Sequence, residues 1–299
     1  MVNDFIQLIS NRNQFQKKLL KDWKITEAER QDFENILNFY TVEQGYTLEF
    51  LADAYSFINQ MVVEESYFFE RNRRYRYSSF DEVNSLVYQN DGYMKKYMVG
   101  LCISDYIWIQ HLEILRWFEQ ALSNQSGVKK KHYLEIGPGH GQFFMKALQY
   151  GGFRDYLAVD LSPTSVDQCK KYMAYCGMDE EKYRILQKDF FEFPQERKYD
   201  YIVMGEVLEH VEQPLKMLKK IRSLLSDEGR AFITTVINAP AVDHIYLFHS
   251  QEEVLAMAQE AGFDIEEHIC ITAGGIPMEK AVKRRYAINI AMILKGCKV

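Results

Sequence analysis

The 299-residue chain sets 36 Lys+Arg against 42 Asp+Glu, a formal net charge of -6, with 47% hydrophobic and 26% charged residues. That balance describes a soluble globular chain of about two domains at roughly 150 residues each, and six Pro with 16 Gly exclude a repeat-built or disordered one. The acidic excess opposes extended wrapping of a nucleic-acid backbone.

Five cysteines without a C-x-x-C pair indicate neither a disulfide framework nor a cysteine zinc site. Asp4 interrupts the only N-terminal apolar stretch that could imitate a signal peptide. The longest nearly apolar run, 287–294, is too short to span a bilayer. The expectation is a cytoplasmic protein in a reducing compartment.

Over residues 3–124 apolar side chains recur at helical spacing: Phe33, Ile36, Leu37 and Tyr40, then Leu48, Leu51, Ala52 and Tyr55, then Ile107, Trp108, His111, Leu112, Leu115 and Phe118. This predicts an all-helical domain over 1–124. The polar, glycine-containing stretch 123–131 marks the boundary, and 125–299 forms the second domain. There, short apolar runs at 133–136, 156–159, 184–187, 201–204 and 231–237 alternate with helix-length segments, predicting a doubly wound α/β sheet of parallel strands. Ser162-Pro163 and a Ser250/Glu253 capping box start helices; Gly177 and Gly262 stop them. Runs at 263–271 and 286–294 add two strands, the last antiparallel.

The first strand of this half runs into H-Y-L-E-I-G-P-G-H-G, residues 132–141, with glycines at Gly137, Gly139 and Gly141. Residues without Cβ let a backbone turn sharply and lie against a ligand at a helix N-terminus. The dinucleotide pattern would need glycine where Gln142 stands. Glu135, just before the loop, would repel a pyrophosphate and attract a cation. Asp160 ends the next strand 19 residues after Gly141, close to the spacing of an acid that reaches ribose hydroxyls. Asp189-Phe190 after the third strand suits an adenine amino group and ring face.

A cationic head, a ribose and an adenine describe S-adenosylmethionine. The chain here resembles the class I S-adenosylmethionine-dependent methyltransferases, including the ubiquinone-pathway O-methyltransferase group: L-E-I-G-P-G-H-G resembles their first motif, Y-L-A-V-D the second, Q-K-D-F the third and Y-I-V-M-G-E-V-L-E-H-V-E-Q-P the fourth. The resemblance covers roughly 131–295. It implies a Rossmann-like seven-stranded sheet with a reversed last strand. It also implies that Glu135, Gly137, Gly139 and Gly141 border the methionine moiety, that Asp160 holds the ribose, that Leu161, Asp189 and Phe190 contact the adenine, and that Glu206 faces the cofactor.

Methyl transfer to a hydroxyl or an acidic C–H calls for a base, and histidine titrates near neutrality. His210, just past the fourth predicted strand, is the first candidate; it could equally pack beside the cofactor. His244, beside Asp243 in the loop that also carries His249, is the second. If 206–211 is a helical turn, Glu206, Glu209 and His210 share a face in an E-x-x-E-H arrangement that resembles the divalent-metal motif of small-RNA 2′-O-methyltransferases and some ubiquinone-pathway O-methyltransferases, with His244 as a fourth ligand; acids favouring a helix N-terminus are the alternative. The expectation is no metal. Tyr93, Tyr97, Tyr106, Trp108 and His111 could close over the cofactor as a lid, or form helix core or a homodimer interface. Arg71, Arg73, Arg74 and Arg76, interleaved with Tyr75 and Tyr77, would suit a single-stranded nucleic acid, an anionic small substrate or a solvated face. The resulting expectation is a methyltransferase acting on oxygen or carbon of a small-molecule acceptor in biosynthesis, with no nucleic-acid partner. A metal-assisted RNA 2′-O-methyltransferase and a non-catalytic cofactor-binding interaction protein are the alternatives.

Overall fold

The structure is a computed structural model that describes residues 1–124 and 131–297; the core of the expected linker, 125–130, lies outside the described residues. The N-terminal part runs α1 (Val2–Arg12), α2 (Gln14–Leu19), α3 (Glu27–Asn38), α4 (Leu48–Asn72), α5 (Phe80–Val83), α6 (Asp91–Ile107) and α7 (Ile109–Ser123). Local chemistry sets these starts. Thr26 and Glu29 form a reciprocal capping box on α3, while Thr47 and Asn90 accept backbone N–H bonds at the heads of α4 and α6. The helical run expected through 107–118 is broken at Trp108, which is extended at ψ 123° while its N–H still closes α6 on the Ser104 carbonyl at 2.8 Å. That break turns Trp108, Gln110 and His111 onto a cavity wall.

The C-terminal part alternates as expected: β1 (His132–Ile136), α8 (Gln142–Tyr150), β2 (Asp155–Asp160), α9 (Pro163–Tyr175), β3 (Tyr183–Gln187), β4 (Tyr199–Met204), α10 (Pro214–Leu224), β5 (Leu225–Ile237), α11 (Gln251–Glu260), β6 (Phe263–Thr272), α12 (Met278–Arg284) and β7 (Ile288–Gly296). The seven-stranded sheet has the order β3-β2-β1-β4-β5-β7-β6, with β7 antiparallel to both neighbours. Reversal of order on either side of β1 opens a crevice at the carboxyl ends of β1 and β4, where doubly wound sheets bind ligands. Ser162 caps α9 with Pro163 following, as expected. At α11 the expected box is only half formed: Ser250 accepts from Glu253 N–H, but the Glu253 carboxylate reaches back to His249 N–H.

Strand alternation divides the core. Leu134, Ile136, Ile202 and Met204 pack under α10 and α11. Tyr133, Tyr156, Tyr201 and Phe232 pack on the other face, in a core continuous with the N-terminal helices. Phe118 of α7 meets Phe143 and Phe232 at ring distances of 4.8 and 4.9 Å. Lys146 of α8, 2% exposed, pairs with Asp32 at 2.5 Å and Glu119 at 2.6 Å. The helices are thereby fixed over one face of the sheet and its ligand-binding edge. Among the described residues no helix is long and apolar enough to cross a membrane.

Candidate active site

A cavity of about 1840 Å3 lies between the carboxyl edge of the sheet and helices α4, α6 and α7. This is nearly double the upper end of the roughly 300–1,000 Å3 range that suits one small ligand, so two can be accommodated. The glycine loop forms part of its wall. Gly137 and Gly139 have φ of +66° and +52°, and a Cβ on Gly137 would stand 2.7 Å from Val207 Cγ2. Gly141 lies outside the lining; at φ +87° it heads α8, and its bare Cα lets α9 approach, since a Cβ would meet Cys169 Sγ at 2.9 Å. It shapes the loop from behind.

Next to the loop, Asp160 Oδ1 accepts from Ser162 N–H at 2.8 Å and Oδ2 from Gly139 N–H at 3.3 Å, which fixes the carboxylate at the cavity wall. Burial pushes Asp160 up to about 6. Asp189 caps the short 3-10 turn Phe190–Glu192 through Phe191 N–H, and it lines the cavity together with Phe190 and the half-exposed Leu161. The residues of the expected ribose and adenine contacts therefore share one cavity.

The acidic residues divide differently from the sequence expectation. Glu135 is buried behind the loop, not on the cavity wall; Tyr133 OH donates to its Oε2 at 2.5 Å, and burial pushes it up to about 8. Its direction follows from the pleat, because Tyr133 and Glu135 stand two apart on the face that packs against α8. Glu206 does face the cavity, but from an isolated left-handed residue (φ +52°) held by Thr234 Oγ1 at 2.7 Å and Asn289 Nδ2 at 3.1 Å. The expected helical turn over 206–211 is reduced to Leu208–His210, so Glu206 does not share a helical face with Glu209 and His210. A third acid, Asp105 of α6, lines the cavity between His111 and the loop residue His140.

His210 and His244 also line the cavity, with rings 4.8 Å apart and edge to face. The Glu209 carbonyl makes this happen by accepting from Ile245 and Tyr246 N–H, which ties the 239–246 loop to the 3-10 turn. His210 Nδ1 lies 2.9 Å from the Asp243 carbonyl, and His244 Nδ1 lies 2.6 Å from the Ala239 carbonyl. A carbonyl only accepts, so each Nδ1 carries the proton and each Nε2 presents a lone pair. The Asp243 carboxylate stands 3.5 Å from His210 Nδ1 and accepts from Tyr97 OH at 2.8 Å and Tyr88 OH at 3.3 Å. Burial and the neighbouring His210 push His244 down to about 4. Ligand atoms of Glu209, His210 and His244 lie within 4.8 Å of one another, and Glu209 Oε1 is buried without a hydrogen-bond partner, a set that could hold a divalent ion.

Of the expected lid, Tyr97, Trp108 and His111 line the cavity; Tyr93 and Tyr106 do not, Tyr106 being stacked on Phe33 in the core. His249 also lies off the wall. The arginine cluster is divided: Arg76 pairs with Glu65 at 2.9 Å, Arg74 bonds the Tyr75 and Arg76 carbonyls, Tyr75 is buried against His244, and Arg73 lines the cavity. Sequence reasoning passed over Asp105, Tyr88, Asn289 and Thr234. His140 carried a signal, since it stands inside the glycine loop.

The wall fits the ligand that the resemblance implies. The bare Gly137–Gly139 cradle, the fixed Asp160 carboxylate and the Asp189-Phe190 pair suit a nucleoside, and the cavity-lining carboxylates of Asp105 and Glu206 suit a positive charge.

Comparison with known proteins gives the same direction. A family model described as a methyltransferase domain matches residues 109–271, more than half of the chain. A ubiquinone biosynthesis O-methyltransferase of Leptothrix cholodnii is 25% identical over 126 residues, covering 42% of this chain and 52% of that protein. One from Coxiella burnetii is 27% identical over 162 residues, covering 52% and 62%. The chain thus spans about half to three fifths of the curated relatives it matches. Among solved structures, the mitomycin 7-O-methyltransferase MmcR aligns with a TM-score of 0.56 at 14% identity over 83% of this chain and 70% of its own. The N-methyltransferase NodS of Bradyrhizobium japonicum, in complex with S-adenosylhomocysteine, aligns at 0.52 and 15% identity over 73% and 99%. These likenesses show the fold.

Proposed function

The chain belongs to the class I S-adenosylmethionine-dependent methyltransferase family, and from that membership we propose that it transfers a methyl group from S-adenosylmethionine to oxygen of a small-molecule acceptor. The carrying observation is a cavity, large enough for donor and acceptor, whose wall carries both the nucleoside-fitting residues and two lone-pair imidazoles. Oxygen is preferred over carbon because the curated relatives are named as O-methyltransferases.

When bound, the donor supplies an electrophilic methyl on a sulfonium and leaves as S-adenosylhomocysteine. The protein's own residues align, shield and deprotonate. Asp160, Leu161, Asp189 and Phe190 hold the nucleoside, and Gly137 and Gly139 let the backbone lie against it. Glu206, fixed by Thr234 and Asn289, faces the cavity and would offset the donor's positive charge. Tyr97 and Trp108 cover the cavity and exclude water.

His210 is the base. Its Nδ1–H is held on the Asp243 carbonyl, its Nε2 takes the acceptor proton, and the Asp243 carboxylate at 3.5 Å stabilises the imidazolium that forms. His244 is the poorer base because its burial opposes protonation. A second reading rests on the buried, unpartnered Glu209 Oε1: Glu209, His210 and His244 would be the residues to hold a divalent ion, which would supply Lewis-acid polarisation of the acceptor in place of a base.

The test is S-adenosylhomocysteine formation from a panel of catechols, simple phenols, hydroxylated aliphatics and keto acids. Turnover of a hydroxylated acceptor is expected. Donor binding with turnover of keto acids alone would move the reaction to carbon, and binding without any turnover would leave an interaction protein.

A further inference from the structure

Glu135, the carboxylate expected to face a cation at the glycine loop, is turned away into the protein. A carboxylate that does face the cavity beside the loop comes from the helical part. Asp105, near the end of α6, stands 3.5 Å from Nε2 of His140 in the loop and 3.7 Å from Nδ1 of His111 on α7. Its side chain is 16% exposed, opening on the cavity, and no described residue donates a hydrogen bond to it.

Neither imidazole supplies a positive charge. Burial pushes His140 down to about 4 and His111 down to about 3, and because the Ser104 hydroxyl already donates to the Leu101 carbonyl at 2.7 Å, its Oγ accepts the His111 Nδ1 proton at 2.9 Å. His140 Nδ1 is buried without a partner. The remaining polar neighbours offer no compensation: Glu206 is itself an acid, and burial keeps Cys102 and Tyr106 protonated. A carboxylate walled in by neutral and acidic groups is costly until a cation with N–H donors arrives. The sulfonium has no such donor; an ammonium has three.

We propose that Asp105 is the subsite for the α-ammonium group of the donor's methionine half, so that the N-terminal helices complete the donor site and do more than cover the acceptor. This assignment rests on the methyl-donor reading above.

The test is calorimetric titration of the full chain, wild type and Asp105→Asn, with S-adenosylhomocysteine and with its deaminated analogue, which keeps the carboxylate. The wild type should bind the deaminated analogue at least about tenfold more weakly than S-adenosylhomocysteine. Asp105→Asn should weaken S-adenosylhomocysteine by at least about tenfold, the range expected for a hydrogen bond between charged groups, and should leave the analogue within about twofold. An unchanged affinity for the analogue also certifies the fold of the variant. Equal losses for both ligands, no loss for either, or wild-type affinities that do not separate the two ligands would overturn the assignment. A wild type that binds neither would overturn the methyl-donor reading together with it.

Discussion

Replacing Asp243 by Asn keeps the shape of the histidine cluster and removes one charge. The Asp243 carboxylate lies 3.5 Å from His210 Nδ1 and is 1% exposed, while the backbone bond that sets the His210 tautomer comes from the Asp243 carbonyl and survives the change. At 3.5 Å and an effective dielectric of about 20, a carboxylate and an imidazolium attract by about 5 kcal/mol. Part of that is lost because Tyr97 and Tyr88 already donate to the same oxygen. A net loss of about 1.4–2.8 kcal/mol corresponds to a fall of roughly 10- to 100-fold in the methyl-transfer step. His210→Gln should cost more, roughly 10²–10⁴-fold, because it removes the base itself. The assay is single-turnover formation of S-adenosylhomocysteine from donor-loaded protein with the best acceptor of the panel, alongside the donor Kd. Both variants should keep the donor Kd within about twofold. Turnover of His210→Gln within about threefold of wild type would refute His210 as the base. A loss in Asp243→Asn that appears in donor affinity and not in rate would refute the charge argument.

With His210 as a base and no metal, dialysis against a chelator should leave turnover unchanged; a loss restored by magnesium or manganese would establish the second reading of Glu209, His210 and His244. Glu135, raised to about 8 in the fold from an ordinary 4.5, binds a proton that the unfolded chain has released, so its contribution to stability is full below about 4.5 and is lost as pH rises through about 8. Chemical denaturation of Glu135→Gln should therefore show a flatter decline between pH 5 and 8 than the wild type, and an identical pH profile would refute it. Lys146→Met leaves Asp32 and Glu119 without their buried cation and should lower stability by roughly 3–5 kcal/mol, read as the denaturant midpoint. A loss under about 1 kcal/mol would refute the buried pairing as an anchor between helices and sheet.

Much of the sheet was legible because its signals are local. Short apolar runs separated by helix-length segments, the Ser162-Pro163 start and the glycines at turns each depend on a few neighbouring residues, and strand bounds agree to within a few positions except at β5, which begins six residues before the expected 231. The place of four expected site residues in the cavity wall was legible for the same reason: Asp160, Leu161, Asp189 and Phe190 sit at or just past strand ends, where the topology delivers them to one cavity. The direction of Glu135 was available too, since a period of two sets it on the face of Tyr133, but the loop's chemistry drew it the other way. What was not legible depends on distant pairings. Tyr88 and Tyr97 reach Asp243 across 155 and 146 residues, and Asp105 reaches His140 only because α6 lies over the loop. The left-handed backbone at Glu206, which dissolves the expected helical turn, has no glycine or asparagine to announce it. The break at Trp108 likewise falls inside an unbroken helical pattern.

The proposed activity requires the cavity beside Gly137 and Gly139 to take up a sulfur-bearing adenosine. Titration of the unmodified chain with S-adenosylhomocysteine, with NAD as the control ligand, tests this most directly. Uptake of one equivalent, abolished by Gly137→Val and absent for NAD, is the predicted result. No heat with either S-adenosylmethionine or S-adenosylhomocysteine, or binding of NAD in their place, would contradict it.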